Sequence, residues 1–118
     1  MKVERRSVDD VVILQVIGEV TYGKGSDVLL RTSMDALLAE GHRKVILDVS
    51  GVTYVDSAGL GQLAQIHANA SNSQAALRLV GVGKRLRDLL AATRLLPLFQ
   101  LFDTEAAALG SFTSAASS

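Results

Sequence analysis

The chain has 118 residues, 48% of them apolar, enough for one domain with a modest core. Lysine plus arginine and aspartate plus glutamate number twelve each, so the formal charge is zero and nothing in the balance draws a nucleic-acid backbone. Cysteine is absent, which excludes disulfides and thiolate metal sites, and no apolar run reaches membrane-spanning length.

The opening residues Met1 to Arg6 mix charges and lack the apolar core of a secretion signal, so a cytoplasmic domain without direct membrane insertion is the expectation. Val3 to Ser7 and Val11 to Ile17 read as two strands joined by the turn residues Asp9-Asp10, hence a hairpin. The second strand stops at Gly18, and residues 18–26 read as a glycine-rich loop. A helix follows from about Asp27, capped by Ser26 or Asp27, with Val28, Leu29, Met34, Leu37 and Leu38 as its buried stripe and Gly41 as its C-terminal stop.

Val45-Ile46-Leu47, with Val49 beyond Asp48, is a short branched run of the kind found in central strands covered on both faces. A loop then delivers Asp56-Ser57-Ala58-Gly59 to a helix whose repeating residues are Leu60, Leu63, Ala64, His67 and Ala68. Asp or Ser at that point supplies a side-chain oxygen to the orphan N–H groups of the first turn. This helix fades at Ser71-Asn72-Ser73. Ala76 to Val80 is the next strand, ended by Gly81, and Lys84 to Thr93 the next helix. Pro97 ends that pattern, Leu98 to Phe102 forms a last strand, and Asp103 or Thr104 caps a closing helix over Glu105 to Leu109. Ser114 to Ser118 is small and polar and reads as frayed. Strands alternating with helices give an α/β fold: a mixed, mostly parallel sheet, an N-terminal β-hairpin and about four helices. Partners and ligands meet such sheets beyond the C-terminal ends of the strands, where Ser57 lies.

Asp56-Ser57-Ala58-Gly59-Leu60-Gly61 allows two readings on local physics. One is a helix cap with glycines permitting a tight bend. The other is a phosphorylation switch: phosphoserine adds close to two negative charges that helix N-terminal N–H groups accommodate, while a partner packed there would have to desolvate a dianion. Other motifs fail on spacing. Gly59 to Ala64 fits G-x-G-x-x-A, but a loop separates it from its strand and no acid ends the next strand. Gly81-Val82-Gly83-Lys84 lacks the four-residue gap of a phosphate loop and places Arg85 where Ser or Thr is needed, and Gly23-Lys24-Gly25-Ser26 fails likewise. No cofactor is expected. Asp48 at a strand end suggests a receiver-type acceptor, yet the accompanying paired acids and lysine are missing. Ser57 is not in G-x-S-x-G, because Val55 holds the first glycine's place. His67 shares the face of Leu60 and Leu63 and reads as a packed side chain, and His42 as a turn residue. With two histidines and no cysteine, no metal site is expected. Lys84, Arg85 and Arg87 read as a solvated face able to help hold an acidic partner.

Residues 56–61, preceded by Val45-Ile46-Leu47-Asp48-Val49, resemble a STAS domain of the bacterial anti-sigma-factor antagonist kind. Gly18-Glu19-Val20 matches that family's Gly-Glu-apolar sequence after the second strand, and the strand ending at Gly81, the leucine-rich helix after it and the late Phe-rich strand also fit. The resemblance covers nearly the whole chain. It implies a STAS domain over residues 1–113 and a disordered tail over 114–118. It further implies that Ser57 is phosphorylated by a partner that is both anti-sigma factor and serine kinase of the histidine-kinase-like ATPase type. The unphosphorylated form would bind this partner and release a sigma factor, and a serine phosphatase would reset the switch. The domain would be substrate and binder rather than enzyme. The implied contact surface comprises Asp56, Ser57, Ala58, Gly59, Leu60, Gly61 and Gln62, with Glu19 and Thr21 alongside. Thr21 departs from the family's usual Asp, removing a carboxylate from that loop, and Ala58 replaces a frequent second serine, leaving one hydroxyl to modify. The alternative is a non-switching STAS subunit of a lipid-transport or signalling-scaffold complex.

Overall fold

A computed structural model describes residues 2–21 and 26–117, with side chains assigned except at 26–28 and 113–117. Strands β1 (Lys2–Val8) and β2 (Val11–Val20) form the expected hairpin, turning at Asp9-Asp10. Then follow α1 (Ser26–Ala39), β3 (Lys44–Val55), α2 (Ser57–Asn72), β4 (Ala76–Val80), α3 (Lys84–Ala92), a 3-10 turn (Leu96–Leu98), β5 (Gln100–Phe102) and α4 (Glu105–Ser117). The five strands make one sheet in the order β1-β2-β3-β4-β5, with β1 antiparallel to β2 and every other pair parallel.

Alternate residues of the central strands go to opposite faces. Val12, Leu14, Val45, Leu47 and Leu79 face one side, where α1, α2 and α3 cover them with Leu30, Met34, Leu37, Leu63, Ile66 and Leu90. Val11, Ile13, Ile46 and Val80 face the other side, covered by Ala108 and Phe112 of α4. Both faces are therefore dry, which is why β2 and β3 read as continuous apolar runs rather than alternating ones. The glycine stop of α1 is as expected: Gly41 has φ +94°, and the His42 N–H reaches back to the Leu37 carbonyl at 3.2 Å.

The structure corrects several boundaries. β2 continues to Val20 and β3 to Val55, so the segments expected as loops after Gly18 and before Asp56 are strand tails paired with each other, Gly18 opposite Val52 and Val20 opposite Val55. Two register shifts interrupt that pairing, as bulges do, and Gly18 sits between them at φ +102°. At Gly51 an added Cβ would lie 3.2 Å from the Val16 carbonyl oxygen and 3.1 Å from Ile17 Cγ1, so this glycine permits close strand approach instead of ending a strand. In α1, Leu29 is 41% exposed and Leu30 takes its place in the core with Met34 and Leu37. One residue of helix rotates a side chain by about 100°, enough to move it off the buried face. The late strand begins at Gln100, because Pro97 sits in the 3-10 turn before it. α4 runs past the expected end at Leu109 to Ser117. The loop residues 22–25, and the side chains of Ser26, Asp27 and Val28, lie outside the described set.

Candidate functional site

The paired ends of β2 and β3 form the base of the site, and α2 starts directly on them. The Asp56 N–H donates to the Val20 carbonyl at 3.4 Å, which ties the last turn of β3 to the end of β2. Asp56 is extended, with φ −98° and ψ −176°, and its Oδ1 accepts the Gly59 N–H at 2.8 Å. Its carbonyl accepts the first helical bond, from the Leu60 N–H at 3.0 Å. Asp56 is thus the N-cap, and of the two candidates the sequence offers, the aspartate does this work.

Ser57 is consequently the first helical residue. It is exposed, and its hydroxyl makes no hydrogen bond to any described residue. No acidic residue lies in the first turn of α2, and the Asp56 cap sits at the positive end of the helix dipole. Gly59 is buried under this turn: an added Cβ would stand 2.2 Å from the Val20 carbonyl oxygen and 2.9 Å from Val55 Cγ1. Only glycine lets the helix backbone sit that close to the strand ends, and this contact sets the height at which Ser57 is presented.

The remaining expected contact residues divide into three groups. Gly61 and Glu19 are exposed, with Glu19 opposite Tyr54 across the strand pair. Leu60, 6% exposed, is a core anchor, and Thr21 is 9% exposed. Both support the surface from below. Ala58 and Gln62 are half-buried, and the Gln62 amide atoms are covered without a hydrogen-bond partner among the described residues. One surface residue, Tyr54, was not anticipated, and it meets Arg85 of the basic face expected from the sequence. Tyr54, 45% exposed at the end of β3, lies under the Arg85 guanidinium of α3, 5.8 Å from its ring centroid. The alternation Val52, Thr53, Tyr54, Val55 is the strand signal that would have revealed it.

Two side chains weighed for other chemistries are engaged elsewhere. His67 packs edge-on against Phe99 with centroids 5.5 Å apart, and it lies about 15 Å along the helix from Ser57 at 1.5 Å per residue. Asp48 is buried, and its Oδ1 accepts from the Ser50 N–H at 2.9 Å and the Ser50 hydroxyl at 2.7 Å. A carboxylate held this way is not presented as a phospho-acceptor.

A family model described as the STAS domain matches residues 2–108. The chain belongs to the STAS domain family. A Thermotoga maritima protein named as a candidate anti-sigma factor antagonist is 30% identical over 97 residues, covering 82% of this STAS domain and 85% of the relative. The solved anti-sigma factor antagonist from Mycobacterium paratuberculosis superimposes with a TM-score of 0.80 at 24% identity, over 93% of this chain and 92% of that one. The anti-sigma factor antagonist SpoIIAA in its unphosphorylated form shares the fold at a TM-score of 0.74 and 15% identity, over 95% and 98% of the two chains. These likenesses fix the α/β architecture and place anti-sigma factor antagonists among the relatives of this STAS domain.

Proposed function

We propose that this STAS domain is an anti-sigma-factor antagonist whose hold on an anti-sigma factor is cancelled by phosphorylation of Ser57. The observation that carries the reading is the division of labour at the start of α2. Asp56 caps the helix, and Ser57 is left exposed with its hydroxyl bonded to no described residue. A hydroxyl needed as a cap could not be modified without loosening the helix. One freed from that duty can take a phosphoryl group while the fold persists, because the added charge meets the positive end of the helix dipole. A partner seated over Ser57 and Gly61 would then face a dianion it cannot solvate, and the complex would dissociate. The kinase would be the anti-sigma factor itself, of the histidine-kinase-like ATPase type, and a serine phosphatase would restore binding. SpoIIAA, which shares the fold, has been solved in both phosphorylated and unphosphorylated forms.

Fold alone does not select this reading. A sulfate transporter family protein from Wolinella succinogenes superimposes with a TM-score of 0.80 at 21% identity. The deciding measurement is the intact mass of the protein isolated from its host beside a Ser57→Ala control. A fraction heavier by one phosphoryl group, absent from the control, is the expected result. Ser57→Ala is expected to bind the anti-sigma factor permanently and Ser57→Asp poorly. Unmodified protein under every growth condition, with equal affinity of Ser57→Asp and wild type, would instead favour a non-switching STAS subunit.

A further inference from the structure

Beside Ser57 the end of β3 and the start of α3 enclose a cleft of about 140 Å³. Val52, Tyr54 and Val55 form one wall, and Gly81, Leu86 and Leu89 the other. An aliphatic cavity of roughly 150 Å³ accommodates benzene, so this one has room for a single leucine- or phenylalanine-sized side chain.

The first turn of α3 carries three cations, and Asp88, one turn further along the helix, is not within ion-pair distance of them. Lys84, Arg85 and Arg87, all exposed on the first turn of α3, have no carboxylate within ion-pair distance among the described residues. The cations near β1 and the start of β3 are answered: Lys2 by Glu4, Arg5 by Glu40, Arg6 by Glu105 and Lys44 by Asp10. No acid occupies the first turn of α3, where the helix dipole would favour one. The Arg85 guanidinium lies over the Tyr54 ring at 5.8 Å from its centroid, at cation–π range, and its N–H groups can pair with a carboxylate.

We propose that this cleft is a second contact for the protein partner, accepting one aliphatic side chain from an acidic segment whose carboxylates meet Arg85 and its neighbours. The proposal rests on the reading of the domain as a partner-binding module and adds the chemistry of what it binds. Charge complementarity selects an acidic occupant. The concave apolar wall selects an inserted side chain, the usual form of an interface anchor, over a flat lipid surface. Tyr54 and Ser57 are three residues apart, at most about 11 Å of chain, so one partner can span both.

The test is a titration of the ¹⁵N-labelled full chain with the peptide acetyl-Glu-Glu-Leu-Glu-Glu-amide, followed through backbone amide shifts. Shifts are expected to group at residues 52–55 and 81–89. Binding is expected to weaken about tenfold when alanine replaces the peptide's leucine, when lysines replace its glutamates, or when the protein carries Arg85→Glu. Thr53→Trp, which fills the cleft from an exposed position, is expected to do the same. No response at millimolar peptide, shifts centred elsewhere, or equal binding of the alanine peptide would overturn the proposal. Arg85-dependent recruitment to phosphatidylserine vesicles without a peptide response would replace it with a lipid surface. The peptide reports on the cleft whatever the state of Ser57. Failure here with Ser57 phosphorylated in the host removes only the cleft, and peptide binding with Ser57 never modified removes only the switch.

Discussion

The β2–β3 pair has two halves built on different terms. In the lower half, Val12 to Gln15 lie in unbroken register with Val45 to Asp48. Ile13, Leu14, Ile46 and Leu47 there are fully or almost fully buried, so the strands are held by side chains packed from both faces. In the upper half, Ile17 to Val20 meet Gly51 to Val55 through two register shifts, with glycine at 18 and 51. Val20 and Val55 are buried there too, but what distinguishes this half is close backbone approach: Gly51 against Val16 and Ile17, and Gly59 against Val20 and Val55. The lower half provides stability. The upper half positions Ser57, and it carries the exposed Tyr54 and the cleft beside it.

The comparison breaks first if the lower half is not the source of stability. Leu47 is fully buried among the residues that join α1 and α2 to the sheet. Leu47→Ala is expected to destabilise the protein by about 3 kcal/mol, within the range for a buried leucine whose surroundings relax only in part. The urea midpoint should fall with an unchanged slope. A loss below about 1 kcal/mol would mean that the interior around β3 collapses easily and that the contrast between the halves is false.

The same contrast explains what the sequence made legible. Val45-Ile46-Leu47 advertises itself, because burial on both faces leaves an apolar run bounded by polar residues, and Ala76 to Val80 does so despite Arg78, because it is a short branched stretch ended by Gly81. The stop at Gly41 was equally readable, and the cap of α2 was narrowed to Asp56 or Ser57, since each answers a local hydrogen-bonding need; the structure selects Asp56. The upper strand tails were not. Ser50-Gly51 and Gly18 carry turn signals, and what makes them strand is the partner tail opposite, distant in sequence. Leu29 was misplaced because Leu29 and Leu30 are adjacent leucines, and only the packing of α1 shows which one faces inward. At the site, Ser57 was read from its position and from the resemblance. That Gly59 and Leu60 support the surface from beneath needed coordinates, and so did the pairing of Arg85 with Tyr54.

Two glycines of α2, two residues apart, sharpen the comparison from the site itself. Gly59→Ala would place a Cβ 2.2 Å from the Val20 carbonyl oxygen, so α2 must shift off the strand ends. A loss of about 2–3 kcal/mol is expected, as for overpacking. The amide shifts of Val20, Val55 and Ser57 should move with it. At Gly61 an added Cβ meets nothing within 4 Å. Gly61→Ala is therefore expected to stabilise the helix by up to about 1 kcal/mol, the difference in helix propensity. Opposite signs in one urea series would establish that the first turn of α2 is seated by close approach. Equal effects would show that only propensity matters there.

The smallest effect should come from the ion pairs that balance charge around the lower half. Arg5 donates to both carboxylate oxygens of Glu40, at 2.9 and 2.8 Å, joining β1 to the residue that follows α1. These hydrogen bonds hold the Glu40 carboxyl below its ordinary range, and Lys44 does the same for Asp10. A carboxyl depressed in the folded state binds its proton less readily there than in the unfolded chain. Its stabilising contribution is therefore complete above the ordinary carboxylate range and disappears as pH falls through the lower folded value. Glu40→Gln is expected to be slightly less stable than wild type at pH 7. The gap should narrow steadily as the solution is acidified below about pH 4, the ordinary glutamate range. Added salt at pH 7 should narrow it as well, because both partners are exposed to solvent. A gap that widened on acidification would mean that the carboxylate is disfavoured in the fold, and that Arg5 does not hold Glu40 in the charged form.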